Sequence, residues 1–297
     1  MARALVVGSI VTVLGGCGAN LGGPCALDNP CEDGVCDLTD PSGGTCIAAD
    51  GDLDGDGIRN DKDFCNHVAG GAFDEDRDGL GNECDPCPIA APPETPDGDD
   101  DGVDSPCDPD PRTSGERITV FDGFDDGMPA GWKATAGWTF VGGEAIVTPI
   151  DPIAIEQLTA PLPLVTQSIA VLGQYRIDAS DPQATQNFAG VVAIDERPAG
   201  GSRVSCAGTR TGTTDNLVLD TPTASTAKPF TNLFDSASLY RVAMQLDAAD
   251  AACAMIADAE TGAVQATTNG EIMNGGGLVA KGATARFQYL LVVQRQP

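Results

Sequence analysis

The stretch DLDGDGIRNDKD, Asp52 to Asp63, carries aspartate at positions 1, 3, 5, 10 and 12. Such a segment repels itself and has almost nothing apolar to bury. Two later stretches share its register: DEDRDGLGNECD at 74–85 and DGDDDGVDSPCD at 97–108. All three have Asp at positions 1, 3, 5 and 12, Gly at 6 and an aliphatic residue at 7. Alternate carboxylates separated by a glycine turn form an oxygen cage suited to a hard divalent cation. Without that ion, three or four clustered negative charges oppose order. The register therefore predicts a segment shaped by calcium rather than by an oily core.

The spacing is EF-hand-like, but position 12 is Asp instead of Glu and no amphipathic helix flanks any loop. The adjoining text is DFC, CDPCP and SPCD. Together these features resemble the thrombospondin type 3 repeat over residues 50–110, a nearly helix-free array with a calcium core and disulfide links. The resemblance implies carboxylate ligands from Asp52, Asp54, Asp56 and Asp63, from Asp74, Asp76, Asp78 and Asp85, and from Asp97, Asp99, Asp101 and Asp108. It implies backbone carbonyl ligands from Ile58, Leu80 and Val103. Asn60 and Asn82 stand at position 9, and the inserts NHVAGGAF and IAAPPETP interrupt the spacing. A second frame (Asp50, Asp52, Asp54, Gly55, Asp61) overlaps the first. The opposing reading is a disordered acidic linker, which the glycine register and interleaved cysteines argue against. His67 is expected on an inter-repeat loop without chemical work.

Charge sets this segment apart. The 297-residue chain has a net charge of −28, and residues 50–110 hold twenty Asp/Glu against three Lys/Arg. Such a balance excludes nucleic acid as a partner, because phosphate is repelled. The remainder is rich in Ala, Val, Thr and Gly, as a β-rich domain is. Eleven cysteines with a single histidine point to disulfides in an oxidising compartment rather than to zinc.

The odd cysteine is explained at the start of the chain. Arg3 precedes the apolar run ALVVGSIVTVL (4–14), too short to span a bilayer but suited to a signal peptide over residues 1–16. Leu14-Gly15-Gly16-Cys17 resembles the lipobox of bacterial lipoproteins, which implies cleavage and lipidation at Cys17. The expected location is then the outer membrane or cell surface, lipid-anchored, with the membrane and calcium as partners. Residues 17–49 form a small module whose Cys25, Cys31, Cys36 and Cys46 allow three pairings. Its gaps of Pro, Gly and Asp read as a rigid spacer more than as a recognition knob. The pairing among Cys65, Cys84, Cys87 and Cys107 is equally open.

From about Ile118 to residue 297 the pattern changes to short alternating runs divided by turns. WTFVGGEAIVT (138–148) reads as two strands around Gly142-Gly143; SIAVLGQYRID, FAGVVAID, SRVSCAGT and NLVLDT follow. LYRVAMQL and AACAMIAD make a hairpin with ETG (260–262) as its next turn, and GGGLVA and ARFQYLLVVQ close the chain. Roughly ten strands without helical period predict a two-sheet β-sandwich or jelly roll. The fold class is thus mainly β: a sandwich preceded by a helix-poor stalk stabilised by calcium and disulfides. Cys206 and Cys253, both mid-strand, are expected to pair, worth roughly 4 kcal/mol in the chain-entropy model. FDGFDDGMPAGW and the late GLVA…ARFQYLLV resemble concanavalin A-like and laminin-G-like domains, which implies carbohydrate or protein binding. Asp122, Asp125 and Asp126 offer one more cation site or a solvated turn.

Catalysis finds little support. The sandwich has no histidine, which excludes a Ser/His/Asp mechanism there. The Glu-x-Asp-x-x-Glu strand of glycosidases on this fold is missing, and Asp195-Glu196 is an adjacent pair pointing to opposite faces. The expected function is a non-enzymatic surface protein that binds a polysaccharide or a surface protein. A glycan hydrolase on the same scaffold and a purely structural envelope protein are the alternatives.

Overall fold

A computed structural model describes residues 20–26, 28–40, 42–91, 96–166, 168–197, 201–231, 233–258 and 260–295. The signal-peptide and Cys17 expectations lie outside them. Among the described residues the chain is all β, without a helix. It divides into two compact units, residues 1–72 with 79–84 and residues 73–78 with 85–297.

Among its described residues the first unit has one strand pair, β1 (Val35–Asp37) with β2 (Thr45–Ile47). Among the described residues it has no extended apolar core, and disulfides take its place: Cys25–Cys36, Cys31–Cys46 and Cys65–Cys84, the last from the first acidic repeat to position 11 of the second. His67 follows the first loop and makes a structural contact there. Its Nε2 lies 2.7 Å from Oδ2 of the fully buried Asp37, tying the cysteine module to the first repeat.

The second unit is the sandwich. Its strands are β3 (Glu116–Asp122), β4 (Lys133–Ala134), β5 (Trp138–Phe140), β6 (Ala145–Val147), β7 (Glu156–Thr166) and β8 (Ile169–Ser180). Then come β9 (Asn187–Ile194), β10 (Arg203–Thr211), β11 (Thr214–Asp220), β12 (Ser225–Pro229), β13 (Tyr240–Leu246) and β14 (Asp250–Ala257). The last three are β15 (Glu260–Thr267), β16 (Met273–Lys281) and β17 (Ala283–Arg295). One sheet runs β12-β11-β10-β9-β16-β7-β4, the other β15-β14-β13-β8-β17-β6-β5, with β3 also on β17. All pairings are antiparallel.

Period-two alternation turns one face of each sheet inward. Val171, Tyr175, Val191, Leu217, Met244, Phe287 and Leu290 are among the residues filling the core between the sheets. Cys206 on β10 and Cys253 on β14 form the expected disulfide and so join the two sheets. One expected turn is absent: Glu260-Thr261-Gly262 opens β15, because the backbone reverses at Asp258 (φ 50°) instead. Strand β7 also escaped the sequence, since Pro161 and Pro163 argue against a central strand. It is accommodated beside a two-residue partner, β4, and where β16 shifts register between Met273 and Gly275.

β17 is buried on both faces along its second half. Leu290 and Val292 point into the core, whereas Tyr289, Leu291 and Val293 point out. The outward set, with Ala170 and Leu172 of β8, packs against Ile89, Ala90, Val103 and the Cys87–Cys107 disulfide. Part of the acidic segment is therefore a third layer on the eight-stranded sheet.

Candidate cation sites in the acidic loops

The three twelve-residue loops share one backbone grammar. Position 4 is left-handed in each, Gly55 (φ 83°), Arg77 (67°) and Asp100 (61°), as is position 6: Gly57, Gly79 and Gly102 (93–98°). Glycine adopts this region freely, whereas Arg77 and Asp100 do so at a cost of order 1 kcal/mol or more each. Hydrogen bonds hold the turn. The position 1 carboxylate accepts from the position 4 N–H (Gly55 to Asp52 and Arg77 to Asp74, both 2.7 Å). It accepts from position 6 as well, Gly57 to Asp52 at 3.1 Å and Gly102 to Asp97 at 2.7 Å. Asp54 and Asp76 accept from position 5, and Asp56 and Asp101 from Ile58 and Val103 at position 7. At position 12, Asp63, Asp85 and Asp108 each accept from the N–H two residues on, at 2.7 Å.

Hydrogen bonds engage both oxygens of Asp52, Asp56, Asp97 and Asp101 but only one of Asp54, Asp63, Asp76 and Asp108. In every loop an oxygen from each of positions 1, 3 and 5 falls within 4.8 Å of the other two: Asp52/54/56, Asp74/76/78 and Asp97/99/101. The position 12 carboxylates face them. Asp63 feels Asp54 and Asp56, Asp85 feels Asp78 and Asp76, and Asp108 feels Asp101 and Asp99. Burial, reinforced by these neighbours, pushes Asp85 up to about 7 and raises Asp63, Asp76, Asp99 and Asp108. Donated N–H groups instead lower Asp56 and Asp97.

The fit to a cation rests on what these groups lack. Buried oxygens without a hydrogen-bond donor occur at position 3 of each loop, on Asp54, Asp76 and Asp99 (both), and at position 12 of the first and third, on Asp63 and Asp108; Asp61 at position 10 of the first loop has one as well, beside Arg59. Buried polar atoms are ordinarily paired, and an unpaired charged one costs several kcal/mol. A hard divalent ion is the partner that several acceptor-only oxygens share, and it would neutralise their repulsion. The side chain of Ile58 is half-buried, that of Val103 fully buried, and Leu80 belongs to the first compact unit.

The structure adds features that spacing alone did not reveal. Gly70 and Gly115, each fourteen residues after position 5, donate to the second oxygens of Asp56 and Asp101 at 2.7 and 2.9 Å. Both glycines are left-handed (φ 114° and 122°), so the repeat extends seven residues beyond the loop. Asn60 is a brace, accepting from Leu53 and donating to Ala48. Glu83 adds its charge near Asp63, Asp104 near Asp85 and Asp110 near Asp99. The disulfides follow the register too: position 14 of one repeat bonds position 11 of the next, as Cys65–Cys84 and Cys87–Cys107. In the third repeat position 14 is Asp110, and an ion pair with Arg295 of β17 takes the disulfide's place.

The adjacent pair Asp195-Glu196 is committed elsewhere. Asp195 is clasped by both Nε and Nη2 of Arg197 (2.7 and 2.8 Å), and Glu196 pairs with Lys133 and accepts from Thr159. Among the described residues, no three ligand atoms cluster around Asp122, Asp125 and Asp126. Asp122 caps its own turn through the Phe124 N–H, at 2.7 Å.

No family model matches the chain, and no curated protein matches it. Solved β-sandwiches do. The CBM2 module of the evolved Dit of Lactobacillus casei BL23 phage J-1 is 9% identical, with 61% of this chain and 97% of that one covered at a TM-score of 0.47. Lectin I from Ulex europaeus, in complex with the methyl glycoside of α-L-fucose, is 9% identical over 61% and 99% at 0.43. The β-glucanase of Bacillus licheniformis is 9% identical over 61% and 99% at 0.44. These values are too low to carry residue roles or ligands across.

Proposed function

We propose that this chain is a calcium-binding, lipid-anchored surface protein that presents a β-sandwich for binding carbohydrate or protein. The observation that carries the calcium reading is the set of buried, donor-less carboxylate oxygens recurring at position 3 of all three loops and at position 12 of the first and third. Asp52, Asp54, Asp56 and Asp63 would hold one ion, Asp74, Asp76, Asp78 and Asp85 a second, and Asp97, Asp99, Asp101 and Asp108 a third. The ion supplies charge compensation and rigidity. Calcium outside a cell, at an affinity of roughly 10⁻⁴–10⁻³ M for such modules, is sufficient. Surface anchoring is supported by the lipobox-like Leu14–Cys17 and by the cysteine count, since the five disulfides use every cysteine except Cys17.

Calorimetry on the disulfide-intact protein tests the calcium reading. Uptake of at least one ion per loop, abolished loop by loop in Asp54→Asn, Asp76→Asn and Asp99→Asn, is the expected result. Absence of uptake at millimolar calcium overturns it. Mass spectrometry of the mature N-terminus tests the anchor, which fails if Cys17 carries no acyl chain. A reducing-end assay on polysaccharides distinguishes binding from hydrolysis.

A further inference from the structure

The two sheets end on four edge strands, and three of them are guarded. β4 and β5 span two and three residues, and β12 ends in Lys228-Pro229, a charge and a missing N–H. β15 is the fourth. Its eight residues, Glu260–Thr267, pair with β14 without a bulge and include no proline and one charge, at the first position. The neighbouring turn decides which of its backbone groups point outward. The Asp247 N–H donates to the Asp250 carbonyl at 2.9 Å, so alternation turns Asp250, Ala252, Ala254 and Ile256 of β14 toward β13. Ala251, Cys253, Met255 and Ala257 then bond β15 through Ala266, Val264, Gly262 and Glu260. The Thr268 N–H, 2.8 Å from the Ala249 carbonyl, keeps the same phase. Thr261, Ala263, Gln265 and Thr267 are left with N–H and C=O groups facing away from β14, and no described strand meets them. Their side chains are exposed on the outer face, while Gly262 and Val264 are buried on the core face.

We propose that β15 pairs antiparallel with β15 of a second copy of this chain, about a two-fold axis at Val264, joining two sheets into one. An axis normal to the sheet keeps the core-facing residues of both copies on one side, so odd positions meet odd and even meet even. Of the registers that obey this, the one about Val264 uses all four outward residues. Thr261 meets Thr267 of the second copy and Ala263 meets Gln265, each pair exchanging both hydrogen bonds and occurring twice about the axis. A second copy is the occupant that this self-matching of face, phase and register specifies. The paired run, Thr261–Thr267, is uncharged. Charge also sets the direction. In-register parallel pairing would put Glu260 beside its counterpart, whereas here it stands opposite Thr268, about 27 Å from it along the strand and beyond the screening length of about 8 Å. Glu260 already accepts from the Thr231 N–H (3.0 and 3.2 Å) and Asp258 from the Ser238 hydroxyl at 2.8 Å. Asp247 and Asp250 stand at the other end of the strand, beside Thr267 and Thr268, and β12 near β15 in the facing sheet carries the exposed Lys228. Each junction therefore brings the Asp258–Glu260 end of one copy toward the Asp247–Asp250 end of the other, a repulsion that salt screens.

Sedimentation of the full, disulfide-intact protein over a concentration series tests the pairing. The mass should rise from one chain toward two with concentration, and do so at lower concentration as salt is added. Amide exchange should show Thr261, Ala263, Gln265 and Thr267 fast in dilute protein and protected in concentrated protein. Ala263→Pro removes an N–H that the ladder with β14 does not use, and should abolish the dimer. Gln265→Lys and Gln265→Glu, each diagonal to its own counterpart across the axis, should weaken association several-fold, and an equimolar mixture of the two should restore it. Thermal melts of these two charge variants should stay as in the parent. A protein monomeric at every concentration, with the four amides exchanging freely, overturns the pairing and leaves the edge to a foreign strand. Protection of those amides in dilute protein shows the edge covered within the chain and overturns it too. A dimer that survives Ala263→Pro, or charge variants whose mixture associates no better than either alone, places the contact elsewhere and overturns it.

Discussion

The acidic repeats and the sandwich are ordered by opposite means. In the sandwich, apolar side chains leave water and the backbone is satisfied by strand ladders. In residues 52–63, 74–85 and 97–108, side chains satisfy the backbone: carboxylates cap the N–H groups of each turn, and buried oxygens of Asp54, Asp63, Asp76, Asp99 and Asp108 are left without a donor. The first arrangement is held by the chain's own apolar side chains and strand ladders. The second is short of a positive charge. On the calcium reading proposed above, the two differ in dependence on a solute, and each part of the comparison breaks under a different treatment.

Chelation should have the largest effect. Hydrogen exchange on the intact protein, read by peptide, should show the loops at 52–63, 74–85 and 97–108 losing part of their protection while the peptides of β8, β10 and β17 keep theirs. Equal protection with and without calcium would dissolve the contrast. Next comes the inter-sheet disulfide. Cys206→Ala with Cys253→Ala should lower the sandwich's unfolding free energy by about 2–5 kcal/mol, seen in denaturant melts, and leave calcium stoichiometry unchanged. A parallel loss of calcium would show that the two kinds of order are one cooperative unit.

How legible these parts were follows from the range of the interactions. Strands with strict alternation, such as β8 and β13, and the Gly142-Gly143 hairpin could be placed from the residues because their signal is local. β7 could not, because its tolerance of Pro161 and Pro163 depends on what lies beside it. The carboxylate register was legible at positions 1 to 12, since these residues close on themselves. Gly70 and Gly115 were not, because their N–H groups return to Asp56 and Asp101 across fourteen residues of unlike sequence. The disulfide order had the same limit. LLVVQ at 290–294 did carry a clue, as a run apolar on both faces must be covered on both. Which segment covers it is a tertiary fact.

That covering layer supplies a third, smaller test. Val103 belongs to loop three by its backbone and to the sheet by its side chain, which is 1% exposed. Val103→Ala should cost about 2 kcal/mol by leaving a cavity. Ile58→Ala, half-buried in the first loop, should cost much less. Thermal melts in saturating calcium separate the two. Equal costs would mean that the third layer contributes no apolar stabilisation to the sheet.

The mildest effect is on pH, and its sign is diagnostic. Asp85, held near 7 by burial and by Asp78, Asp76 and Asp104, ionises about three pH units above an unperturbed aspartate. Asp63, Asp76, Asp99 and Asp108 are raised in the same direction. Between about pH 4 and 7 the calcium-free folded array thus binds more protons than its unfolded chain, and its stability falls as pH rises through that window. Below pH 4 both states are protonated at these sites and the term vanishes. With calcium the ion takes the proton's place, so binding releases protons and tightens as pH rises, levelling off above about 7. Calcium-free melts across this range, paired with calorimetry in buffers of different ionisation enthalpy, measure both slopes. A calcium-free array that gains stability from pH 4 to 7 would show these carboxylates to be separated and solvated, and the case for an ion among them would fail.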